Sequence, residues 1–405
     1  MRKLLLFALW TTILLRTTVE IGHAAEMVTA AQLEARVTAE RGRPDDAIAR
    51  RLSSLELTER LSTARLQSLE AELPGTRSRQ ALAVLADYSA FLSLPPSEIP
   101  ELAPPAHDVA DQIAERAVQY LIQAIPALPN YMATRTTNRF ESTPANPNSI
   151  GGVVVARQIH FEDAPAAPVN NKEVPDQPLR WIGISKEIVT VRDGSEFVEP
   201  ADLRKKRMDP TASKMVSEGE FGTVLIGLIT DAFHGKMSWS HWEARDAKPV
   251  AVFRYSVSEK DSHFAVFERA QGQLHPVYPA YHGEIAVDPD QGIILSLTMR
   301  GEWKPSDPNV RSDVFVEFAS VDIGGKSYYC PSRSVALSVL HPELPNAATS
   351  VGLRRFDEHR TQTELNDIRF SDYHRFRTEM RILAGNEPVP AAASPAKTNP
   401  DQGPK

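Results

Sequence analysis

The sequence predicts an α+β protein in which a large curved antiparallel sheet, a half-barrel, wraps around helices and follows a small helical segment. Apolar residues recur at helical spacing up to about residue 124 and then alternate with a period of two, which is typical of strands. A helical stripe returns once among the strands, at Phe221, Leu225, Leu228 and Phe233. This order predicts a sheet covered by helices.

Residues 1–24 have the pattern of a secretory signal peptide. Arg2 and Lys3 precede an apolar run, Leu4–Leu15, that is too short to cross a bilayer of about 30 Å as a helix. Gly22 and Ala24 are the small residues expected before a cleavage site. We therefore expect cleavage after Ala24 and an exported protein, periplasmic or extracellular, with no transmembrane segment in the mature chain. An uncleaved signal anchor is the alternative interpretation.

Residues 27–93 are expected to form a helical segment. Leu66, Leu69 and Leu73 share one face of a helix that begins after the N-cap Ser62, and residues 81–92 continue this spacing. These leucines form either the core of a small bundle or a groove for a partner. A proline-rich linker, residues 94–106, follows, because five of its first twelve residues are prolines.

Residues 107–386 are expected to form the half-barrel domain, which opens with a helix over about residues 108–124. Gly324 and Gly325 predict a two-residue hairpin turn, whose central positions need a positive φ. Residues 387–405 contain five prolines and no apolar periodicity, so a disordered tail is expected. The predicted strands are Met132–Glu141, Gly152–Phe161, Leu179–Arg192, Lys236–Glu243, Val250–Val257, His263–Glu268, Tyr281–Asp288, Gly292–Glu302, Val314–Ile323, Lys326–Val339 and Leu365–Met380.

Composition excludes several classes of function. A net charge of -7 without a long basic cluster argues against nucleic acid as the partner. The single cysteine, Cys330, excludes an intramolecular disulfide and a metal site built from cysteines. Its place in a strand before Pro331 predicts a small buried side chain rather than a nucleophile.

The sequence predicts no catalytic, cofactor-binding or metal-binding residue. Residues 325–327 resemble the end of a phosphate-binding loop, but Ser320 stands where that loop needs a glycine. His275, His282 and Glu284 are candidate metal ligands, but only His282 and Glu284 share a strand face. We therefore expect that the protein binds neither a metal ion nor a cofactor.

Two tryptophans lie in one predicted strand, Lys236–Glu243. Trp239 and Trp242 are an odd number of positions apart, which places them on opposite faces of a regular strand. One of them is then expected to face the interior and the other to face solvent or a neighbouring element.

Two sets of residues in the strand-rich half carry a resemblance to known proteins. The first set comprises Tyr281, Gly283, Ile285, Val287–Pro289, Gly292–Ile294, Val314, Val316, Phe318, Val321, Ile323–Lys326 and Tyr328. It is similar to lipoprotein-carrier-like half-barrels, such as the periplasmic lipoprotein localisation factor. The second set comprises Leu128–Tyr131, Thr134–Thr137, Arg139–Glu141, Gly219–Gly222 and Trp239–Glu243. It is similar to an uncharacterised family of exported bacterial proteins, and the resemblance covers about residues 107–383.

The resemblance implies an apolar cavity between sheet and helices that holds acyl chains or a peptide segment. We therefore expect an exported, non-enzymatic binding protein that shelters a lipid or a lipid-modified partner in the apolar concave face of its sheet. The alternative is an interaction or structural module of the cell envelope whose own helices fill that face. A hydrolase or metal-dependent enzyme, based on the histidines and acids between His234 and Glu284, is a third hypothesis.

Overall fold

The computed structural model describes residues 25–142, 179–192, 195–200, 223–245, 248–270, 273–341 and 361–375. These residues form an α+β fold in which an open antiparallel sheet of ten strands is flanked by helices, which confirms the predicted fold class. The expected signal peptide, the predicted strand Gly152–Phe161 and the C-terminal tail lie outside the described residues.

The described helices are α1 (Ala30–Ala39), α2 (Asp45–Leu52), α3 (Thr63–Glu72), α4 (Thr76–Tyr88), α5 (His107–Ala127) and α6 (Thr223–His234). The strands are β1 (Glu26–Val28), β2 (Leu55–Leu57), β3 (Tyr131–Glu141), β4 (Arg180–Arg192), β5 (Ser195–Pro200), β6 (Lys236–Arg245), β7 (Lys248–Val257), β8 (Val266–Ala270), β9 (Gln273–Val277), β10 (Tyr281–Val287), β11 (Ile294–Gly301), β12 (Asn309–Asp322), β13 (Ser327–Leu340) and β14 (Gln362–Arg375). The large sheet has the order β5-β4-β3-β14-β13-β12-β11-β10-β7-β6, while β1-β2 and β8-β9 pair separately.

The N-terminal helices enclose their own apolar core. Leu66, Leu69 and Leu73 are buried in it together with side chains of α1, α2, α4 and the parallel β1-β2 pair. Ser62 caps α3 by accepting a hydrogen bond from the backbone N–H of Arg65. The leucine stripe is therefore core, which confirms the first of the two interpretations of its spacing.

One face of the large sheet packs against α5 and α6. Ala110, Ile113 and Ala117 of α5 and Ile229 and Ala232 of α6 are buried against strands β7, β10, β11 and β12. The turn after β10 closes this contact at Gly292, whose φ is 72°. A Cβ there would lie 2.4 Å from the Arg116 carbonyl oxygen of α5, so glycine permits the close approach of turn and helix.

The opposite face of the sheet packs against α4 and the turn that follows it. Neighbouring residues of β12 show the two faces clearly, because Val316 is buried with α5 and α6 whereas Phe315 is buried with Phe91. Phe140 and Leu365 from β3 and β14 join this second cluster. The chain crosses between the faces through the proline-rich linker, and the Trp242 indole of β6 donates a hydrogen bond of 2.9 Å to the Ala103 carbonyl.

A buried ion pair fastens α4 to the sheet. Asp87 of α4 has no exposed surface, and its carboxylate accepts a hydrogen bond from the Arg333 guanidinium of β13. Arg333 also lies 3.8 Å from the carboxylate of Asp367 on β14. Burial and the nearby charge of Asp367 raise the pKa of Asp87 from 3.8 to about 7, although Arg333 opposes this shift.

The raised pKa of Asp87 predicts a specific pH dependence of stability. The folded state retains the Asp87 proton between pH 3.8 and about 7, whereas the unfolded state releases it. The free energy of unfolding of the wild-type protein should therefore fall, relative to that of Asp87→Asn, as the pH rises through this interval. Above the interval the difference between the two proteins should stay constant. Urea titrations across the interval measure the difference. A difference that is independent of pH would contradict the prediction.

The structure differs from the sequence expectations in a few elements. Strands β1, β2, β5 and β9 were not predicted, so the expected helical segment 27–93 also contains strand residues. The predicted strand His263–Glu268 begins later, at Val266. The expected separation of Trp239 and Trp242 is wrong. A β-bulge between Trp239 and His241 inserts one residue, so both indoles pack on the α6 face with ring centroids 4.8 Å apart.

Candidate functional site

An apolar cleft lies between the N-terminal helices and one end of the large sheet. We name it the interlayer cleft; α2, β2 and α4 form one wall, and β3, β14 and the start of β4 form the other. Its volume is about 600 Å³. Small-molecule sites typically measure about 300 to 1,000 Å³, so the interlayer cleft has the size of a ligand site.

Local sequence patterns explain the apolar walls. Leu55 and Leu57 alternate around Glu56 in β2 and are both buried. Val84 and Tyr88 recur at helical spacing on α4 and turn toward the sheet. On the sheet side, the lining side chains are Phe140, Leu179, Arg180, Trp181 and Thr363.

The apolar surface continues from the interlayer cleft along β4. Trp181 pairs with Phe140 and Ile184 pairs with Asn138, so their partners are two residues apart on β3. Trp181 and Ile184 therefore share the face that carries Phe140. Their side chains are 49% and 55% exposed, although both are large and apolar. The exposed apolar surface therefore extends beyond the interlayer cleft to these two side chains.

Three charged side chains line the interlayer cleft. Arg77 forms an ion pair of 2.7 Å with Asp46. Arg180 is exposed and forms no ion pair with another described residue, and Glu56 also lacks such a pair. Arg180 is therefore the cation most readily available to an anionic ligand. The cleft combines apolar walls with a guanidinium, which suits an amphiphile with a negatively charged head.

The three candidate metal ligands, His275, His282 and Glu284, do not come together in the structure. His282 and Glu284 share a face of β10, but His282 hydrogen-bonds to Glu302 at 3.0 Å and Glu284 lies 3.7 Å from Arg254. His275 belongs to β9, outside the large sheet. Within the described part of the chain, no three His, Cys, Asp or Glu side chains are grouped to hold a metal ion.

Cys330 and the two glycines of the hairpin behave as their sequence context predicts. The Cys330 side chain is buried, and burial raises the pKa of its thiol to about 12, which disfavours the nucleophilic thiolate. Gly324 and Gly325 have φ values of 68° and 85° in the turn between β12 and β13. Residues 325–327 thus belong to a hairpin and not to a phosphate-binding loop.

Sequence reasoning missed a histidine and aspartate pair beside α6. The largely exposed His263 ring places Nδ1 2.8 Å from Oδ1 of Asp231, and the Tyr281 hydroxyl donates to the same carboxylate at 3.1 Å. The backbone N–H of His263 also donates to Asp231 at 3.0 Å. These contacts hold the turn before β8 against α6, and we assign the pair a structural role.

The interlayer cleft was also missed by sequence reasoning. Its walls come from distant parts of the chain, namely residue 25, residues 49–88, residues 140 and 179–181, and residue 363, and no short motif joins them. No helix among the described residues is long and apolar enough to cross a membrane.

Comparison with protein-family models, curated proteins and solved structures found no match to this chain.

Proposed function

We propose that this chain is an exported, non-enzymatic binding protein that holds a single-chain amphiphile with an anionic head, such as a fatty acid, in the interlayer cleft. The observation that carries the proposal is the combination of a cleft of about 600 Å³, apolar walls and the Arg180 guanidinium, which forms no ion pair with any described residue. The proposal keeps the expected lipid ligand and places it at a site that the sequence did not reveal.

The walls supply the affinity for an acyl chain. Each buried methylene contributes about 0.8 kcal/mol, so several methylenes in the cleft would offset the entropic cost of association. Phe140, Val84 and Tyr88 offer this surface between the two layers. Trp181 and Ile184 would cover the part of the chain that leaves the cleft.

The charge at the cleft selects the head group. A guanidinium binds a carboxylate or phosphate through two parallel hydrogen bonds. Arg180 begins β4 and adjoins the apolar Leu179 and Trp181, so head and chain can be bound together. A neutral head would use the same apolar walls without this contact.

The packing of the other face supports the choice of the interlayer cleft. Over strands β7, β10, β11 and β12, side chains of α5 and α6 fill the face that the sequence suggested for the ligand. A ligand there would have to displace Ile113 and Ile229, which are both almost fully buried. The interlayer cleft needs no such displacement.

Binding of palmitate and hexadecanol tests the proposal. Wild-type protein should bind both, with palmitate bound more tightly because only its carboxylate meets Arg180. Arg180→Glu should weaken palmitate binding about tenfold or more and leave hexadecanol binding unchanged. Arg192→Glu is the matched control, since Arg192 lies at the other end of β4 over the Phe197 ring. Isothermal titration calorimetry gives both affinities.

A second variant tests the location of the acyl chain. Ala81→Trp places an indole in the interlayer cleft from α4 and should reduce the affinity for both amphiphiles, while thermal melting verifies that the variant is folded. If wild-type protein binds neither amphiphile, the cleft is not a lipid site.

A further inference from the structure

We propose that the α-amino group of Ala25, released by cleavage after Ala24, is a second cationic contact for the ligand's anionic head. The inference rests on the proposed function and on the expected signal peptide. It makes removal of the signal peptide the event that completes the binding site, so that the exported protein binds its ligand more tightly than the precursor does.

The structure places Ala25 at the interlayer cleft. Ala25 is part of the lining, together with Ser53 and Ser54. The next residue, Glu26, donates its backbone N–H to the Ser54 carbonyl at 2.9 Å and opens β1, which pairs in parallel with β2. The second residue after the expected cleavage site is therefore fixed to the wall of the cleft by a backbone hydrogen bond.

The charges around Ala25 leave its amine available. The Glu26 carboxylate is bound by the two terminal nitrogens of Arg36, at 2.7 and 2.5 Å, and this contact lowers the pKa of Glu26. Arg51 adds a further positive charge near Glu26. Glu56 is the one anion in the described cleft lining, so it is the competitor for the amine.

Cleavage changes the charge of the cleft. In the precursor, the nitrogen of Ala25 belongs to a neutral peptide bond with Ala24. In the mature chain it is an ammonium group, and an α-amino group has an ordinary pKa of about 7.7 to 8.0. A contact made by the amine must therefore weaken as the pH rises above about 8.

The experiment compares three forms of the protein: a chain that begins at Ala25, the same chain acetylated at its N-terminus, and a chain with a short neutral extension before Ala25. Palmitate and hexadecanol are the two probes. At neutral pH the free amine should bind palmitate about tenfold more tightly than the other two forms. Hexadecanol should bind equally to all three, and raising the pH to about 9.5 should remove the palmitate difference.

Glu56→Gln sharpens the comparison. Removal of the competing carboxylate should strengthen palmitate binding to the free-amine form more than to the acetylated form. Equal palmitate affinities of the three forms, in proteins that bind both probes, would overturn this inference and leave the proposed function intact. Failure of every form to bind either probe would overturn the proposed function itself.

Discussion

Arg333→Ala should lower the free energy of unfolding by about 3 to 5 kcal/mol at a pH above about 7, where Asp87 is ionised. This is the usual cost of removing one partner of a buried ion pair. Asp87 is fully buried, and the Arg333 side chain that it contacts is 11% exposed. Without Arg333, Asp87 and Asp367 remain as neighbouring buried carboxyl groups that lack this cation. The midpoint and slope of urea unfolding, followed by circular dichroism, measure the loss.

Two further variants separate the loss of this buried ion pair from the effect of removing any arginine side chain. Arg254→Ala removes an arginine of β7 whose side chain is 68% exposed, and its effect should stay within about 0.5 kcal/mol. The double variant Asp87→Leu with Arg333→Met replaces the pair by apolar side chains and should recover most of the lost stability. A loss below about 1 kcal/mol for Arg333→Ala would show that this ion pair does not fasten α4 to the sheet.

Gly283→Ala should destabilise the protein by about 3 kcal/mol, because a side chain at this position has no room. A Cβ on Gly283 would lie 1.8 Å from the Thr298 carbonyl oxygen of β11 and 2.9 Å from the Tyr255 hydroxyl oxygen. Tyr255 donates a hydrogen bond of 2.6 Å to that same carbonyl. The methyl group must therefore separate β10 from β11 or break this bond. Thermal melting and denaturant titration report the change.

Gly183→Ala is the matched control for the Gly283 variant. Gly183 lies in β4, and a Cβ at this position would meet no atom of the described residues within 4 Å. Alanine at this position should leave the free energy of unfolding unchanged or raise it by about 0.5 to 1 kcal/mol, since glycine is unfavourable inside a strand. Equal destabilisation by the two substitutions would show that the contact with Thr298 is not the cause.

Alternation of side chains was the most informative property of the sequence. In β10, Tyr281, Gly283, Ile285 and Val287 alternate without interruption, so the strand and its buried face were both predictable. In β6 the same reasoning failed for Trp242, because a bulge adds one residue after Trp239 and leaves no mark in the apolar pattern. Strand β5 is short and carries Glu196, Glu199 and Pro200, which a propensity argument assigns to a loop.

The candidate site was harder to predict than the fold, for a physical reason. Periodicity shows which side chains of an element face inward, but it does not show which element they meet. Asp87 occupies an ordinary helical position in the sequence, and only the packing of α4 on β13 reveals its pairing with Arg333. Trp181 likewise becomes informative only when β4 is seen beside Leu55 and Val84 in the interlayer cleft.

The path of the proline-rich linker has a consequence for solubility. Among the described strands, β6 is an edge of the large sheet, and an exposed edge strand can pair with another molecule and start aggregation. The linker passes this edge, where Ala103 accepts the hydrogen bond from Trp242. Arg60, in the loop between β2 and α3, forms an ion pair with Glu243 of the same strand. Prolines cannot donate backbone hydrogen bonds, so this cover does not itself become a new edge for strand addition.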